Sequence, residues 1–154
     1  MDLNFTKLIT TVVIILFTAQ VNAQSTPEDL SNLFFKTFEE KGSTDALDEL
    51  YSTNTWINKA PDAVLNLKNQ MEGLHEDYIG KYYGYEFITE KKISESFVLR
   101  SYLVKYDRQP LRFTFQFYKP NDIWKAYSFQ YDGNLSSELE ESANIIFITR
   151  GYDR

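Results

Sequence analysis

Near His75 the spacing of apolar residues changes from helical to alternating, and that switch restricts the chain to an α+β fold with its helices first. Before it, Ser25-Thr26-Pro27-Glu28-Asp29 combines a capping residue, a proline for the first turn and early acids, which predicts a helix start. Leu30, Leu33, Phe34 and Phe38 then recur at helical spacing. Gly42 can take the left-handed conformation that ends a helix, and Ser43 or Thr44 can cap a short second helix carrying Ala46, Leu47 and Leu50. After a polar turn, Ser52 to Thr55, and Trp56, a third helix is predicted over Pro61 to Leu74. It has Val64, Leu65, Leu67, Met71 and Leu74 on one broad face.

Beyond His75 the residues become Tyr, Phe, Val and Ile, which favour strands. Four are predicted: Tyr78 to Thr89, with a bend or bulge at Gly80 and Gly84; Phe97 to Tyr106; Leu111 to Tyr118; and Trp124 to Tyr131. Lys119-Pro120-Asn121-Asp122 is a turn signal, and Asp132-Gly133-Asn134 ends the last strand. The short connections make neighbouring strands antiparallel, because parallel pairing needs a long crossover. Phe113, Phe115 and Phe117 share one face of the third strand, and Arg112, Thr114, Gln116 and Tyr118 share the other. The expected architecture is therefore N-terminal helices packed through a Phe face on a curved antiparallel sheet of about four strands.

What holds such a fold is packing, since the chain has no Cys and so no disulfides. The lack of Cys also removes thiol catalysis and thiolate metal sites, and a single His argues against a His-based metal site; no cofactor is expected. The material for packing is aromatic: 12 Phe, 11 Tyr and 2 Trp. A net charge of -6 opposes attraction to nucleic acid or anionic lipid, so neither is an expected partner.

Residues 1–23 read as a cleavable secretory signal. Lys7 supplies a positive start, Leu8 to Ala19 an apolar run, and Val21-Asn22-Ala23 a small-residue cleavage pattern before Gln24. The run is shorter than the roughly 20 residues that cross a bilayer, which favours cleavage over a retained anchor. The expected product is exported, periplasmic or extracellular, and free of the membrane. Residues 24–135 form one roll domain. Residues 136–154 form a tail in which an acidic helix, Ser136 to Ala143, precedes Ile145-Ile146-Phe147-Ile148. Exposed, that run would promote aggregation, so burial is expected, as an added edge strand or against a partner chain.

The Pro61 to Leu74 helix runs directly into Tyr78-Ile79-Gly80-Lys81-Tyr82-Tyr83-Gly84-Tyr85. Two paired strands follow, Leu111-Arg112-Phe113-Thr114-Phe115-Gln116-Phe117-Tyr118 and Trp124-Lys125-Ala126-Tyr127-Ser128-Phe129. With its helices first, this stretch from Thr26 to Leu135 resembles the nuclear-transport-factor-2-like superfamily. The resemblance implies a cystatin-like roll, a sheet wrapped around a long helix, with a cone-shaped pocket between helices and sheet. The superfamily includes ketosteroid isomerases, polyketide cyclases, dehydratases, transport factors and non-catalytic secreted modules, so the fold does not select a function. It also implies a possible homodimer through the outer sheet face.

Candidate chemistry is sparse. His75 and Asp77 are the nearest approach to an acid–base dyad, but residues two apart on a helix point to different sides; a surface helix end where His offsets the dipole is the plainer reading. Glu86 or Asp107 with a Tyr donor is a second acid–base option, against a solvated cross-strand ion pair for each. Arg100 and Arg112, on facing strands, can converge as an anion clamp or pair with Glu86, Glu95 or Asp107. Tyr78, Tyr82, Tyr83, Tyr85 and Tyr102 can line an aromatic pocket or fill a sheet face. Gly80 and Gly84 lie within a strand pattern and are not a phosphate loop. The candidate ligand-binding residues are Tyr82, Tyr102, Arg100, Arg112 and Trp56; no metal ligand and no catalytic residue is assigned. The expectation is an exported, non-catalytic module for a small apolar ligand or a protein partner. The alternatives are a pocket enzyme of isomerase, cyclase or dehydratase type using a carboxylate with a Tyr, and a structural or inhibitory interaction protein.

Overall fold

A computed structural model describes residues 25–136, 139 and 140. Residues 1–23, read above as a secretory signal, and the apolar run Ile145 to Ile148 lie outside the described residues. The elements run α1 (Pro27–Lys41), α2 (Ser43–Ser52), a 3₁₀ turn (Ile57–Lys59), α3 (Pro61–Glu72), α4 (Glu76–Ile79), then β1 (Tyr82–Ser94), β2 (Phe97–Tyr106), β3 (Leu111–Tyr118) and β4 (Lys125–Asp132). The strands form one antiparallel meander in the order β1-β2-β3-β4. This is the α+β architecture expected, helices on one face of a four-stranded sheet.

α1 starts where its chemistry dictates. Thr26 Oγ1 accepts the Asp29 amide at 3.1 Å, and the Asp29 carboxylate accepts the Thr26 amide at 2.8 Å, so two orphan donors of the first turn are satisfied reciprocally. Those hydrogen bonds from Thr26 hold the Asp29 carboxyl below its usual range. The buried stripe of α1 is rotated from the expected one: Leu33 is exposed, and Phe35 is buried beside Phe34. The two adjacent rings divide the sheet between them. Phe34 meets Phe115 and Phe129, while Phe35 stacks on Tyr85 at 3.7 Å and meets Tyr102 edge-on.

Gly42 ends α1, as expected, with φ 94°, and its amide donates to Phe38 O at 3.1 Å. It is also the N-cap of α2, so neither Ser43 nor Thr44 caps that helix. A one-residue link leaves Ser43 already inside the first turn, and Thr44 Oγ1 instead donates to Glu72 at the end of α3 at 2.6 Å. α3 itself stops at Glu72, two residues before the expected end.

Two strands have their expected bounds, β2 and β3, and β4 is displaced by one residue. Phe113, Phe115 and Phe117 are fully buried towards the helices, and Tyr118 on the opposite face is exposed. β1 differs most. It begins at Tyr82, four residues late, because His75 to Ile79 form a helical turn with acids at its start, closed by Gly80 at φ 85°. It continues to Ser94 through Glu90, Lys91 and Lys92, since an edge strand pairs on one side only and needs no apolar alternation there. The expected bulge at Gly84 is present: the register slips between Tyr82 and Tyr85, with Gly84 at φ 99°.

The sheet's other edge is clothed by side chains. Thr53 Oγ1 accepts the Ala126 amide at 2.9 Å, Asn54 Nδ2 donates to Ala126 O at 2.8 Å, and the Phe129 backbone hydrogen-bonds the Tyr51 hydroxyl. Tyr51 in the last turn of α2, with Thr53 and Asn54 just after it, therefore bonds outer backbone groups of β4 at Ala126 and Phe129, which ties the helical layer to the sheet.

Candidate functional site

The polar turn after α2 is built by Asn54. Its amide donates to Tyr51 O at 2.9 Å, its Oδ1 accepts the Trp56 amide at 3.2 Å, and its carbonyl accepts the Ile57 amide at 3.1 Å. With Nδ2 on Ala126, that one residue sets the path of the chain from α2 to the 3₁₀ turn. Trp56 is thereby held at the surface, 65% exposed, with Lys59 Nζ 3.8 Å from its ring centre. Pro61 then starts α3, which lies across from β4 and leaves a gap between them.

That gap is an open cleft of about 550 Å³. Buried Tyr51 and Phe129 are among its lining, with Ile57, Val64 and Leu67 from the helical side, Tyr127 from β4 and Trp56. Its polar groups are neutral: Asn54, Ser128 and the two Tyr hydroxyls; among the described residues no charged side chain lines it. Burial pushes the Tyr51 hydroxyl up, outweighing its hydrogen bond with the Phe129 backbone. Rings and aliphatic walls with a few neutral hydrogen-bonding groups can hold an uncharged apolar or aromatic molecule, but supply no group poised for proton transfer near neutral pH.

Comparison of the chain with family models, with curated proteins and with solved structures found no match.

Of the five candidate ligand-binding residues, only Trp56 lines this cleft. Arg100 and Tyr102 sit together near the start of α1, on the helix-facing side of β2. The Arg100 guanidinium donates through Nε to the Tyr102 hydroxyl at 2.9 Å, pairs with Glu90, and has Glu28 at 3.8 Å. Its plane also lies 4.8 Å from the Phe87 ring centre. Burial disfavours the Glu90 carboxylate, yet the Lys92 and Arg100 charges and hydrogen bonds outweigh it and hold the carboxyl below its usual range. Arg112 faces the opposite side of the sheet and is bound to Asp132 at 2.9 and 3.1 Å. The expected convergence of Arg100 and Arg112 thus fails on strand parity: Arg100 shares the face of Val98 and Tyr102, and Arg112 that of Thr114 and Gln116.

Replacing Arg100 with Met leaves the Tyr102 hydroxyl without its guanidinium partner and Glu90 with Lys92 alone, at 3.1 Å. A loss of about 2 kcal/mol is expected in urea unfolding. Arg112→Met, which breaks a partly buried pair whose side chains are 21% and 30% exposed, should cost less, about 1 kcal/mol, in the same measurement.

Tyr82 is at the far end of α1, where its hydroxyl donates to Glu39 at 2.9 Å. Burial, then that hydrogen bond, raises its pKa well above the ordinary value. The wider Tyr cluster does not form one pocket. Tyr82, Tyr85 and Tyr102 pack into the core region, while Tyr78 and Tyr83 are exposed beneath Arg108 and Lys81. His75 and Asp77 are both exposed, and His75 is the N-cap of α4 rather than its C-terminus, where a cation would not offset the dipole. Glu86 makes the cross-strand ion pair expected of it, with Lys105 at 2.8 Å on the outer face. Asp107 is exposed, packed against Gly80. Among the described residues, no group of three or more His, Asp or Glu side chains is placed to hold a metal ion. No helix among them is long and apolar enough to cross a membrane.

Between α1 and the Phe face of the sheet the interior is filled. Phe34, Phe35, Phe113, Phe115 and Phe117 are all inaccessible there, so the interior is packed with rings and the open clefts lie at its borders: the one beside β4, and another of about 460 Å³ between the start of α1 and β1–β2, lined by Glu28, Phe87, Glu90, Arg100 and Tyr102. Tyr51, Asn54, Val64, Leu67 and Tyr127 are not among the residues the sequence singles out for ligand binding. The available signal is an Asn two residues before a Trp in a polar turn; the slip in register opposite Tyr127, between Gln116 and Phe117 on the partner strand, is visible only in the structure.

Proposed function

We propose that the protein is a non-catalytic binding module that takes a small, uncharged apolar or aromatic molecule in the cleft between α3 and β4. The observation that carries this reading is the cleft's lining: exposed Trp56, with the Lys59 ammonium over its ring, apolar walls, and no charged side chain among the described residues that line it. Flat aromatic surface held at a rigid turn costs little entropy to bury, and its removal from water is favourable at about 25 cal/mol per Å² of apolar area. Catalysis by a carboxylate and a Tyr is the weaker reading. The Tyr82–Glu39 pair is remote from the cleft and its carboxylate is exposed.

Export is part of the same proposal, supported by the composition of residues 1–23. Membership of the nuclear-transport-factor-2-like superfamily is likewise proposed, supported by the order of helices followed by a four-stranded antiparallel meander.

The test is titration with N-phenyl-1-naphthylamine, an apolar fluorophore. Saturable binding is expected, weakened about tenfold or more by Trp56→Ala, which corresponds to at least ~1.4 kcal/mol. Arg100→Met should bind the fluorophore as the parent does. Binding that ignores Trp56, or no saturable binding, defeats the proposal.

A further inference from the structure

Arg100 is the one charged residue buried among the described residues, its side chain 10% exposed, yet its donors are not used up. Nε donates to the Tyr102 hydroxyl and Nη1 to Glu90, while Nη2 makes no hydrogen bond among the described residues. The carboxylate beside Nη2, that of Glu28, stands at 3.8 Å, beyond hydrogen-bonding distance. A guanidinium is a planar fork of N–H donors, and a donor buried without a partner is costly. No buried side-chain nitrogen or oxygen among the described residues lacks a partner, so the Nη2 edge is the part of the group that reaches open space. That space is the cleft of about 460 Å³ at the start of α1, where Tyr85 and half-exposed Phe87 form an aromatic wall.

Glu28, Glu90 and Arg100 also line a neighbouring cleft of about 390 Å³, which adds Lys92, Glu95 and Lys119. Glu28 is the loosest of these groups: its side chain is 64% exposed, and Arg100 is its ionic partner only at long range. With Glu28 swung into solvent, Lys92, Arg100 and Lys119 oppose Glu90 and Glu95, an excess of one positive charge. We infer that Glu28 is an exchangeable carboxylate and that this place takes a small aromatic carboxylate instead. The ligand's carboxylate accepts from Arg100 Nη2, and its ring lies against Phe87 and Tyr85. Asn32, one helical turn after Glu28 and so on the same face of α1, lines the cleft with a carboxamide donor for the same carboxylate.

The charges select the ligand class. A cation would meet Arg100, whose guanidinium already lies 4.8 Å from the Phe87 ring centre. A dianionic phosphate would overrun the single excess positive charge and face Glu90 and Glu95. The site shares no lining residue with the cleft beside β4 and does not depend on it.

Calorimetric titration of the full chain with 2-naphthoate, and with uncharged 2-naphthamide for comparison, tests the assignment. Both are run in a Trp56→Ala background, which suppresses the cleft beside β4. Saturable binding of 2-naphthoate is expected, at least about tenfold tighter than that of 2-naphthamide. Glu28→Gln removes the competing carboxylate at nearly constant shape and should tighten 2-naphthoate about two- to fivefold, the ratio that an exposed ion pair corresponds to. Phe87→Ala, at a half-exposed position, should weaken it about tenfold. Arg100→Lys should weaken it by at least about tenfold, since an ammonium cannot hold Tyr102 and present a planar edge together. The Glu28 and Phe87 variants decide the matter even where the Arg100 variant loses stability. An affinity that either of them leaves unchanged or moves the other way overturns the assignment, as does equal affinity for the two ligands. So does the absence of saturable 2-naphthoate binding in both the Trp56→Ala protein and its Glu28→Gln derivative. Binding that the parent shows and Trp56→Ala abolishes puts 2-naphthoate beside β4, which overturns the Arg100 site and leaves the other cleft standing.

Discussion

Phe34→Ala is expected to remove about 3–5 kcal/mol of stability, read as a fall in the urea midpoint with an unchanged slope. Phe34 is inaccessible to solvent and contacts the rings of Phe35, Phe38, Phe113, Phe115 and Phe129, with centroid distances from 5.0 to 6.3 Å. Truncation to Ala removes the transfer free energy of a whole ring and leaves a cavity. Its walls are themselves rigid rings on a helix and two strands, so they have little freedom to collapse into it. A domain of this size has a stability of about 5–15 kcal/mol, so the variant should sit close to its unfolding threshold at 37 °C. Leu33→Ala, one residue away and on the exposed side of α1, should lose less than about 1 kcal/mol. Similar losses for the two variants would show that α1 does not dock through Phe34.

The second large effect is Gly80→Ala. Gly80 has φ 85° and ψ −179°, a region essentially reserved for glycine, and a Cβ placed there would lie 2.6 Å from Asp107 Cβ and 3.1 Å from the Arg108 amide nitrogen. The contact arises because the α4–β1 link passes directly over the β2–β3 turn, where the Arg108 amide donates to Ile79 O at 3.1 Å and the Asp107 amide to Lys81 O at 2.9 Å. Strain of about 1–3 kcal/mol adds to the displacement of a hydrogen-bonded backbone, so a total loss of about 4 kcal/mol is expected. Gly42→Ala is the control. Gly42 has nearly the same dihedral angles, φ 94° and ψ 180°, but a Cβ placed there would meet no atom within 4 Å among the described residues, so its loss should be the strain alone. Thermal or urea unfolding of both variants separates the two contributions, and equal losses would refute the close approach.

These two positions also show where sequence reasoning stops. Gly80 is conspicuous in the chain, but it reads there as a bend within a strand. The residues that give it its role, Asp107 and Arg108, are some 27 positions away and meet it only after the meander has formed. The bulge at Gly84, by contrast, is legible, because a glycine inside an alternating aromatic strand has few other uses. The edges of β2 and β3 are legible for a related reason: each is bounded by turn residues, and β3 alternates between a buried Phe face and a polar one. β1 departs from its expected bounds at both ends. An edge strand is defined by backbone pairing on one side, so its charged half carries no hydrophobic pattern.

The candidate site is less legible than the fold. Trp56 stands out for its residue type, but its neighbours in the cleft come from α2, α3 and β4, and what unites them is the set of Thr53, Asn54 and Tyr51 hydrogen bonds to the edge of β4. Arg100 and Arg112 are separable in principle, since their parity with Val98 and with Phe113 puts them on opposite faces once β2 and β3 pair.

By itself the sequence determined what depends on neighbours along the chain: helices before strands, the capped start at Thr26, the end of α1 at Gly42, the antiparallel meander and the Phe face that must be buried. Only the tertiary structure decided that five Phe side chains fill the space between α1 and the sheet, and that an open, apolar-walled cleft lies beside β4. The reason is physical. Periodicity and turn chemistry act over a few residues, whereas a cavity is the space left after distant side chains have packed, and its position depends on volumes and angles that no local pattern encodes.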